Sequence, residues 1–329
     1  MVAVEEIQIQ RIVADGDLDG LLSAAILKRV WREAEVRFSH PAEIRRGDLD
    51  EFIDDKTAVV DLPFHPNCGL HIDHHLTNKP TESQLVDAEA RNCKIIWDAA
   101  LSAARVCFDT FSELVDLSDI DQWMEMVDKL DGGKISREEF LSNHPIVWIG
   151  RIMDGNDIEM CTLLLTEITS GVSPDELIGL DAVCEKVRSA KDEFSKLQSM
   201  VDSCSKVVDR MAIVRLDGKG IRTNGYLITA HFGEQCDACI IVHGDASPTD
   251  QQWPLSASFY SNSFLHTNGG LFDLTTLATA FDVDGGGHAN ACGCRIQPLS
   301  ATGLIEQREA ETKDIDKNLD AWMREWSAR

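Results

Sequence analysis

Positive charge is what this 329-residue sequence has least of. Its 31 lysines and arginines face 56 aspartates and glutamates, for a formal net charge of -25. A chain this acidic repels long polyanions unless metals or a local basic cleft intervene. A general grip on long nucleic acid is therefore disfavoured, whereas a short phosphate-bearing ligand held through metals is not. Long apolar runs are missing too: no stretch approaches the roughly 20 residues a membrane-spanning helix needs. The opening Met1-Val2-Ala3-Val4-Glu5-Glu6 has neither the basic nor the apolar region of a secretory signal. The expectation is a soluble, cytoplasmic protein with no membrane partner. Paired metal-binding cysteines are also absent. Cys236 and Cys239 make a single CxxC among ten cysteines, and no second pair or histidine pair follows at zinc-finger spacing. Reduced, packed thiols are expected. Hydrophobic residues at 43% and charged residues at 26% allow a sizeable core, and the length implies two domains.

What the sequence does have is a histidine- and acid-dense stretch, His71-Ile72-Asp73-His74-His75. A second acidic knot, Asp15-Gly16-Asp17-Leu18-Asp19-Gly20, follows a β-branched strand signal over Ile7–Ala14 and precedes a helix signal over Leu21–Trp31. That makes it a strand-to-helix turn, the usual place for a site in an open α/β sheet. Asp61 ends another strand signal, Lys56–Asp61, whose Ala58-Val59-Val60 reads as central and parallel. Ala34–Phe38 and Leu70–Ile72 read as further strands. The ends of parallel strands share an edge, so the three clusters are expected to meet there. An aspartate capping a helix explains one carboxylate of the knot; three at alternate positions exceed that need. Carboxylates suit hard divalent ions, and added imidazole shifts the preference towards transition ions.

With these residues in hand, the sequence resembles the DHH phosphoesterase superfamily. Asp15–Gly20, Asp61 and Asp73-His74-His75 match its first three motifs in order. The superfamily comprises two-metal exonucleases, oligoribonucleases (nanoRNases), cyclic dinucleotide phosphodiesterases and pyrophosphatases. Many members begin the first motif with histidine; this chain has Asp15, as RecJ-like members do. Near the C-terminus, Gly285-Gly286-Gly287-His288-Ala289-Asn290 resembles the GGGH signature of the DHHA1 substrate domain. The resemblance implies an α/β protein of two domains. These are a parallel-sheet DHH domain over 1–180 and a smaller α/β DHHA1 domain over 211–329, joined by a helical linker over 181–210.

The same resemblance implies two divalent cations, Mn²⁺ foremost and Mg²⁺ as the other choice. Asp15 and Asp17 would hold one, Asp19, His74 and Asp128 the other, and Asp61 would bridge. His75 would polarise a phosphate oxygen or help the leaving group, and Asp73 would orient a histidine. Asp128 is assigned to the fourth motif, with Asp154 second. Asp128–Glu139 superficially resembles a calcium loop, but its third and fifth places, Leu130 and Gly132, offer no side-chain oxygen. Gly286, Gly287, His288 and Asn290 would meet the substrate phosphate. Arg295 is the candidate to replace an arginine that relatives carry within Ser256–Tyr260. The implied activity is hydrolysis of short oligonucleotides or dinucleotides, with a short nucleotide as partner and a homodimer as an option. A 3′,5′-bisphosphonucleotide phosphatase, a RecJ-like exonuclease and a non-enzymatic nucleotide binder are the alternatives. Elsewhere, helices are expected over Ile95–Phe111, Ser118–Leu130, Ile158–Thr169, Leu177–Val208, Gly225–Phe232 and Leu271–Phe281, and strands over Ala212–Leu216, Ala238–His243 and Leu255–Tyr260.

Overall fold

The computed structural model describes residues 7–246 and 254–329; the opening hexapeptide read for a signal lies outside them. The chain forms two compact units. One takes the residues up to Ile135 together with Ser142–Lys191, the other Ser136–Leu141 together with Asp192–Arg329.

The first unit begins β1 (Arg11–Asp15), α1 (Leu18–Val30), β2 (Glu35–Ser39), α2 (Pro41–Arg46), β3 (Thr57–Val60), β4 (Leu70–Asp73), α3 (Glu82–Ala90), β5 (Lys94–Trp97), α4 (Ala103–Phe111) and α5 (Asp121–Asp131). After α6 (Arg137–Leu141), which groups with the other unit, it continues with α7 (Pro145–Ile152), α8 (Ile158–Thr169) and α9 (Pro174–Ile178). The five strands form one parallel sheet in the order β2-β1-β3-β4-β5. β3 is apolar throughout its core because it lies centrally and is buried along its whole length. One face packs Val13 and Val59 against Ile44, Leu49, Ile53 and Leu62. Each such side chain, fully buried, contributes roughly 1.5–3 kcal/mol. Helix α1 is buried from Leu18 to Leu27 because β1, α4 and α8 surround it. Register pairs Asp15 with Ser39, Val60 with Ile72 and Asp73 with Trp97, so β1, β3 and β4 end on one edge.

Helix α10 (Asp181–Cys204) leads into the second unit, which adds β6 (Ser205–Val208), β7 (Met211–Arg215), α11 (Gly225–Phe232), β8 (Ala238–His243), β9 (Ser256–Ser261), α12 (Thr275–Ala278), β10 (Gly286–His288), β11 (Ala291–Arg295) and α13 (Thr312–Ser327). Its mixed sheet runs β10-β11-β9-β8-β7-β6, with only β7 and β8 parallel. Alternation along the strands splits the core. Ile213, Ile240 and Phe259 meet Leu319, Trp322 and Trp326 of α13 on one face. Val214 and Ile241 meet Leu197, Val201 and Ile228 on the other.

The fold class is the expected α/β, but three helices differ. Ile95–Phe111 divides into β5 and α4, because Ser102 caps a new helix by accepting from the Arg105 amide. The final residues of Leu177–Val208 leave the helix to pair with β7. Leu271–Phe281 keeps one turn, α12. All ten cysteines are free thiols, and Cys236 and Cys239 are packed inside the second unit.

Candidate metal centre

The strand-to-helix turn after β1 is built by its own aspartates. Asp15 Oδ1 accepts from the Gly16 amide at 2.6 Å. Asp17 caps α1, its Oδ1 accepting from Gly20 N at 2.9 Å. A Cβ on Gly20 would lie 2.2 Å from the Asp15 carbonyl oxygen, so only glycine lets α1 start this close to the end of β1. Asp19 is buried, and its carboxylate accepts from the Ala103 and Ala104 amides at 2.7 and 2.8 Å. It thus sits at the positive N-terminus of α4.

Asp61 leaves β3 with φ at 59°, a left-handed conformation that aspartate tolerates better than most side chains. Asp73 is fully buried and holds the turn after β4. Its Oδ1 lies 2.9 Å from His75 Nδ1 and accepts from the His74 amide at 2.7 Å. Its Oδ2 accepts from Asn78 Nδ2 at 2.7 Å. The Trp97 indole donates to the His75 carbonyl at 3.0 Å.

Three overlapping groups result: Asp15, Asp17 and Asp61; Asp19, His74 and Asp131; Asp61, Asp73, His74 and His75. Within each group the candidate ligand atoms lie within 4.8 Å of one another. His74 Nε2 stands 3.0 Å from Asp131 Oδ2 and 3.7 Å from both Asp19 Oδ2 and Asp61 Oδ1. Neighbouring ligands around a small divalent ion stand about 3 Å apart, and these spacings approach that. Asp61 Oδ1 is buried and makes no hydrogen bond among the described residues, and the buried His74 Nε2 has the Asp131 carboxylate at 3.0 Å as an ion-pair partner outside good hydrogen-bond geometry.

Burial pushes the Asp19 and Asp61 carboxyls well above the usual range, and their mutual repulsion with Asp131 and Asp17 pushes further. For His74, burial opposes the charged form, but Asp131, backed by Asp19, lifts the imidazole to about 9. Carboxylates crowded against one another, with the buried Asp61 Oδ1 left without a hydrogen bond, are the chemistry a pair of divalent cations relieves. The residues fit such ions.

The structure corrects one ligand. Asp128 does not face the cluster: its carboxylate accepts from Ser102 Oγ at 2.6 Å and from Arg105 Nε and Nη2 at 3.0 and 2.7 Å. Asp131, the last residue of α5, stands beside His74 instead. Asp128 and Asp131 lie one turn apart on α5, and the ion pair that occupies Asp128 is invisible in a linear pattern. Asp154 is exposed, accepts from the Asn156 amide at 3.0 Å and belongs to none of the three groups. His40, also overlooked, brings Nδ1 to 3.5 Å from Asp15 Oδ1.

The glycine-rich segment of the second unit forms the hairpin β10–β11, with His288 exposed on it. Asn290 serves the loop: its Oδ1 accepts from Gly270 N at 2.7 Å and Ser261 Oγ at 3.1 Å. Arg295 is corrected as an anchor. Its guanidinium is taken by Asp282 at 2.6 and 3.0 Å and by Asp284 at 2.5 Å, so it is not held ready for a phosphate.

Neither protein-family profiles nor curated proteins give a match to this sequence. Solved structures do. A pGpG-specific phosphodiesterase, PggH, from Vibrio cholerae superposes with a TM-score of 0.74 at 22% identity, covering 97% of this chain and 99% of that one. The DHH domain of a member of the s1p family of ribosomal proteins gives 0.58 at 14% identity, covering 98% and 87%. This is the DHH fold. Exonuclease RecJ bound to manganese shares it, with a TM-score of 0.54 at 12% identity over 99% of this chain and 92% of that one. Among the described residues, no helix is long and apolar enough to cross a membrane.

Proposed function

We propose that this protein is a metal-dependent phosphodiesterase that cleaves short oligonucleotides or dinucleotides to mononucleotides. The observation that carries the reading is the convergence of Asp15, Asp17, Asp19, Asp61, His74 and Asp131 on the edge of one parallel sheet, with the buried Asp61 Oδ1 left without a hydrogen bond. Asp15 and Asp17 would hold one divalent cation and Asp19, His74 and Asp131 the other; Asp61, which groups with Asp15 and Asp17 and lies 3.7 Å from His74 Nε2, would be shared. Manganese is the favoured ion because imidazole joins the carboxylates. A divalent pair in such a setting acidifies a water and neutralises phosphoryl charge.

The chain's own residues do the rest. Asp73 accepts from His75 Nδ1 and raises the imidazole's affinity for a proton, so in its imidazolium form His75 has Nε2–H to donate to a phosphoryl oxygen or to the leaving oxygen. Asn78 holds the far oxygen of Asp73, so the pair cannot rotate freely. In the second unit, the exposed His288 beside Gly286 and Gly287 is kept as the group proposed to take a substrate phosphate; Arg295 is not part of this role.

A short substrate is favoured by the charge of -25, which opposes a long strand. The near-complete mutual coverage with a pGpG-specific phosphodiesterase agrees with that size. A cytoplasmic location and a homodimer remain part of the reading.

The test is manganese-dependent hydrolysis across a ladder: a 3′,5′-bisphosphonucleotide, a 5′-phosphorylated RNA dinucleotide, a pentanucleotide and a long single strand, with a cyclic dinucleotide beside them. Cutting concentrated on the dinucleotide supports the reading. Equal or faster cutting of the long strand replaces it with a RecJ-like exonuclease, and binding without turnover replaces it with a nucleotide-binding protein.

A further inference from the structure

A third histidine in the central stretch takes no part in the ligand groups. His71 lies in β4 between the apolar Leu70 and Ile72 and is fully buried. Its Nε2 is 2.9 Å from the carbonyl oxygen of Leu62. A carbonyl only accepts, so Nε2–H is the donor. Leu62 follows Asp61 and is itself fully buried.

The surroundings explain why a donor is needed there. The Asp61 amide still donates to Ile72 O at 3.0 Å. Then the left-handed φ of Asp61, 59°, turns the chain out of the β3–β4 ladder. The Leu62 carbonyl is left inside the fold without a ladder partner, and a buried carbonyl without a donor is costly. Phe64 stands edge-on to the His71 ring, with centroids 5.4 Å apart at 80°, and fixes its plane. His71 Nδ1 is buried with no hydrogen bond. A leucine or valine would suit the strand without that loss. What histidine adds is the one donor, and it is spent on the residue next to Asp61.

We propose that His71 is a positioning residue: through the Leu62 carbonyl it locks the left-handed turn that directs the Asp61 carboxylate into the ligand cluster. The inference rests on the metal-dependent reading of that cluster. His71 itself touches neither the substrate nor the reacting atoms. Without its tie the turn relaxes towards an ordinary φ, and Asp61 swings away from the atoms it is shared between.

The test uses the full chain stripped of metal, with free Mn²⁺ followed by electron paramagnetic resonance during titration and dinucleotide cleavage measured in parallel. His71→Phe keeps the ring shape and removes the donor. His71→Gln keeps an amide donor of similar reach. Asp61→Ala is the reference for a lost shared ligand. His71→Phe is expected to weaken Mn²⁺ binding roughly 10–100-fold and to lower kcat with little change in KM, whereas His71→Gln stays close to wild type. Should His71→Phe fail to fold, His71→Asn, whose amide stops short of Leu62, carries the same comparison. Undiminished Mn²⁺ affinity in the donor-less variant, with only its melting temperature lowered, overturns the proposal, and so does equal loss in His71→Phe and His71→Gln. A wild type that takes up no manganese is a different result: it removes the metal reading, and the positioning role with it.

Discussion

Among the described residues of the second unit each buried aspartate meets a guanidinium. Asp237 is held by Arg210 through two hydrogen bonds of 2.7 Å, Asp282 by Arg295 at 2.6 and 3.0 Å, and Asp314 by Arg308 at 2.6 and 2.7 Å. In the first unit Asp19 and Asp61 are as deeply buried, but no arginine or lysine is paired with them. One residue type thus does two jobs. Paired with arginine it ties loops to strands; crowded with its own kind it leaves room for cations that the chain does not supply. Asp128 shows that the rule follows partners and not location. It lies in the first unit, three residues before Asp131, yet Arg105 and Ser102 give it the second unit's pattern.

The sharpest break of this contrast is Asp61→Ala. It is expected to abolish dinucleotide cleavage while the metal-free protein melts no lower than wild type, because a buried, repelled carboxylate has been removed. Near-normal turnover from purified Asp61→Ala would end the two-metal assignment. The complementary measurement is thermal: Mn²⁺ at about 100 times its Kd stabilises a protein by about 2.7 kcal/mol. That gain is expected in the first unit, is reversed by EDTA and is absent from Asp61→Ala. Next comes the pair on α5. Asp131→Asn is expected to weaken metal-dependent turnover about 10–100-fold without lowering the melt in EDTA. Asp128→Asn is expected to cost about 2 kcal/mol of stability, because it strips charge-assisted hydrogen bonds from Arg105, and to spare metal affinity. The opposite assignment of effects would restore Asp128 to the cluster.

This pair also shows how far the sequence could be read. The clusters at the ends of β1, β3 and β4 were legible because strand signals and acidic punctuation are local. The parallel sheet then brings them together by topology alone. The choice between Asp128 and Asp131 was not legible, since both lie on one helix and only Arg105, 23 residues away, decides between them. Arg295 failed for the same reason: Asp282 and Asp284 claim it across a hairpin. The division of Ile95–Phe111 turned on a cap at Ser102 inside an amphipathic pattern. The C-terminal α13 is legible in the sequence, since Ile315, Leu319, Trp322 and Trp326 follow helical spacing and all are buried, but it is not among the helices expected above. His71 was visible as a histidine, but its use depends on the left-handed turn at Asp61, which no residue pattern announces.

The smallest expected effect separates the two units by the sign of their response to acid. In EDTA, Asp19 and Asp61 have folded values raised by burial and by neighbouring carboxylates, above the unfolded value near 4. Such groups oppose folding when ionised, and the penalty is relieved as pH falls through the raised folded value. His74 acts in the same direction: lifted to about 9, it contributes stability that is present in full below about 6.5 and lost as pH rises through 9. Asp15 and Asp17 are raised by burial as well, whereas buried His71 is lowered by burial and opposes them. With four raised carboxyls against one lowered imidazole, the metal-free first unit is expected to become better protected between about pH 7 and pH 5. Asp237, Asp282 and Asp314 are lowered chiefly by hydrogen bonds from Arg210, Arg295 and Arg308. Their contribution is present above about pH 4 and lost only below it. Buried His243 of β8, held down to about 4 by burial, is the group that responds within the interval: its stability is present above the unfolded histidine value near 6.5 and lost as pH falls towards 4, so the second unit is expected to lose protection between about pH 7 and pH 5. Hydrogen–deuterium exchange, read peptide by peptide at pH 7, 6 and 5 and corrected for the intrinsic rate, resolves the two. Saturating Mn²⁺ should invert the first unit's response, because acid then competes with the metal for the same oxygens. A first unit that loses protection on acidification in EDTA would mean that its carboxylates are already satisfied within the chain, and the contrast between the units would collapse.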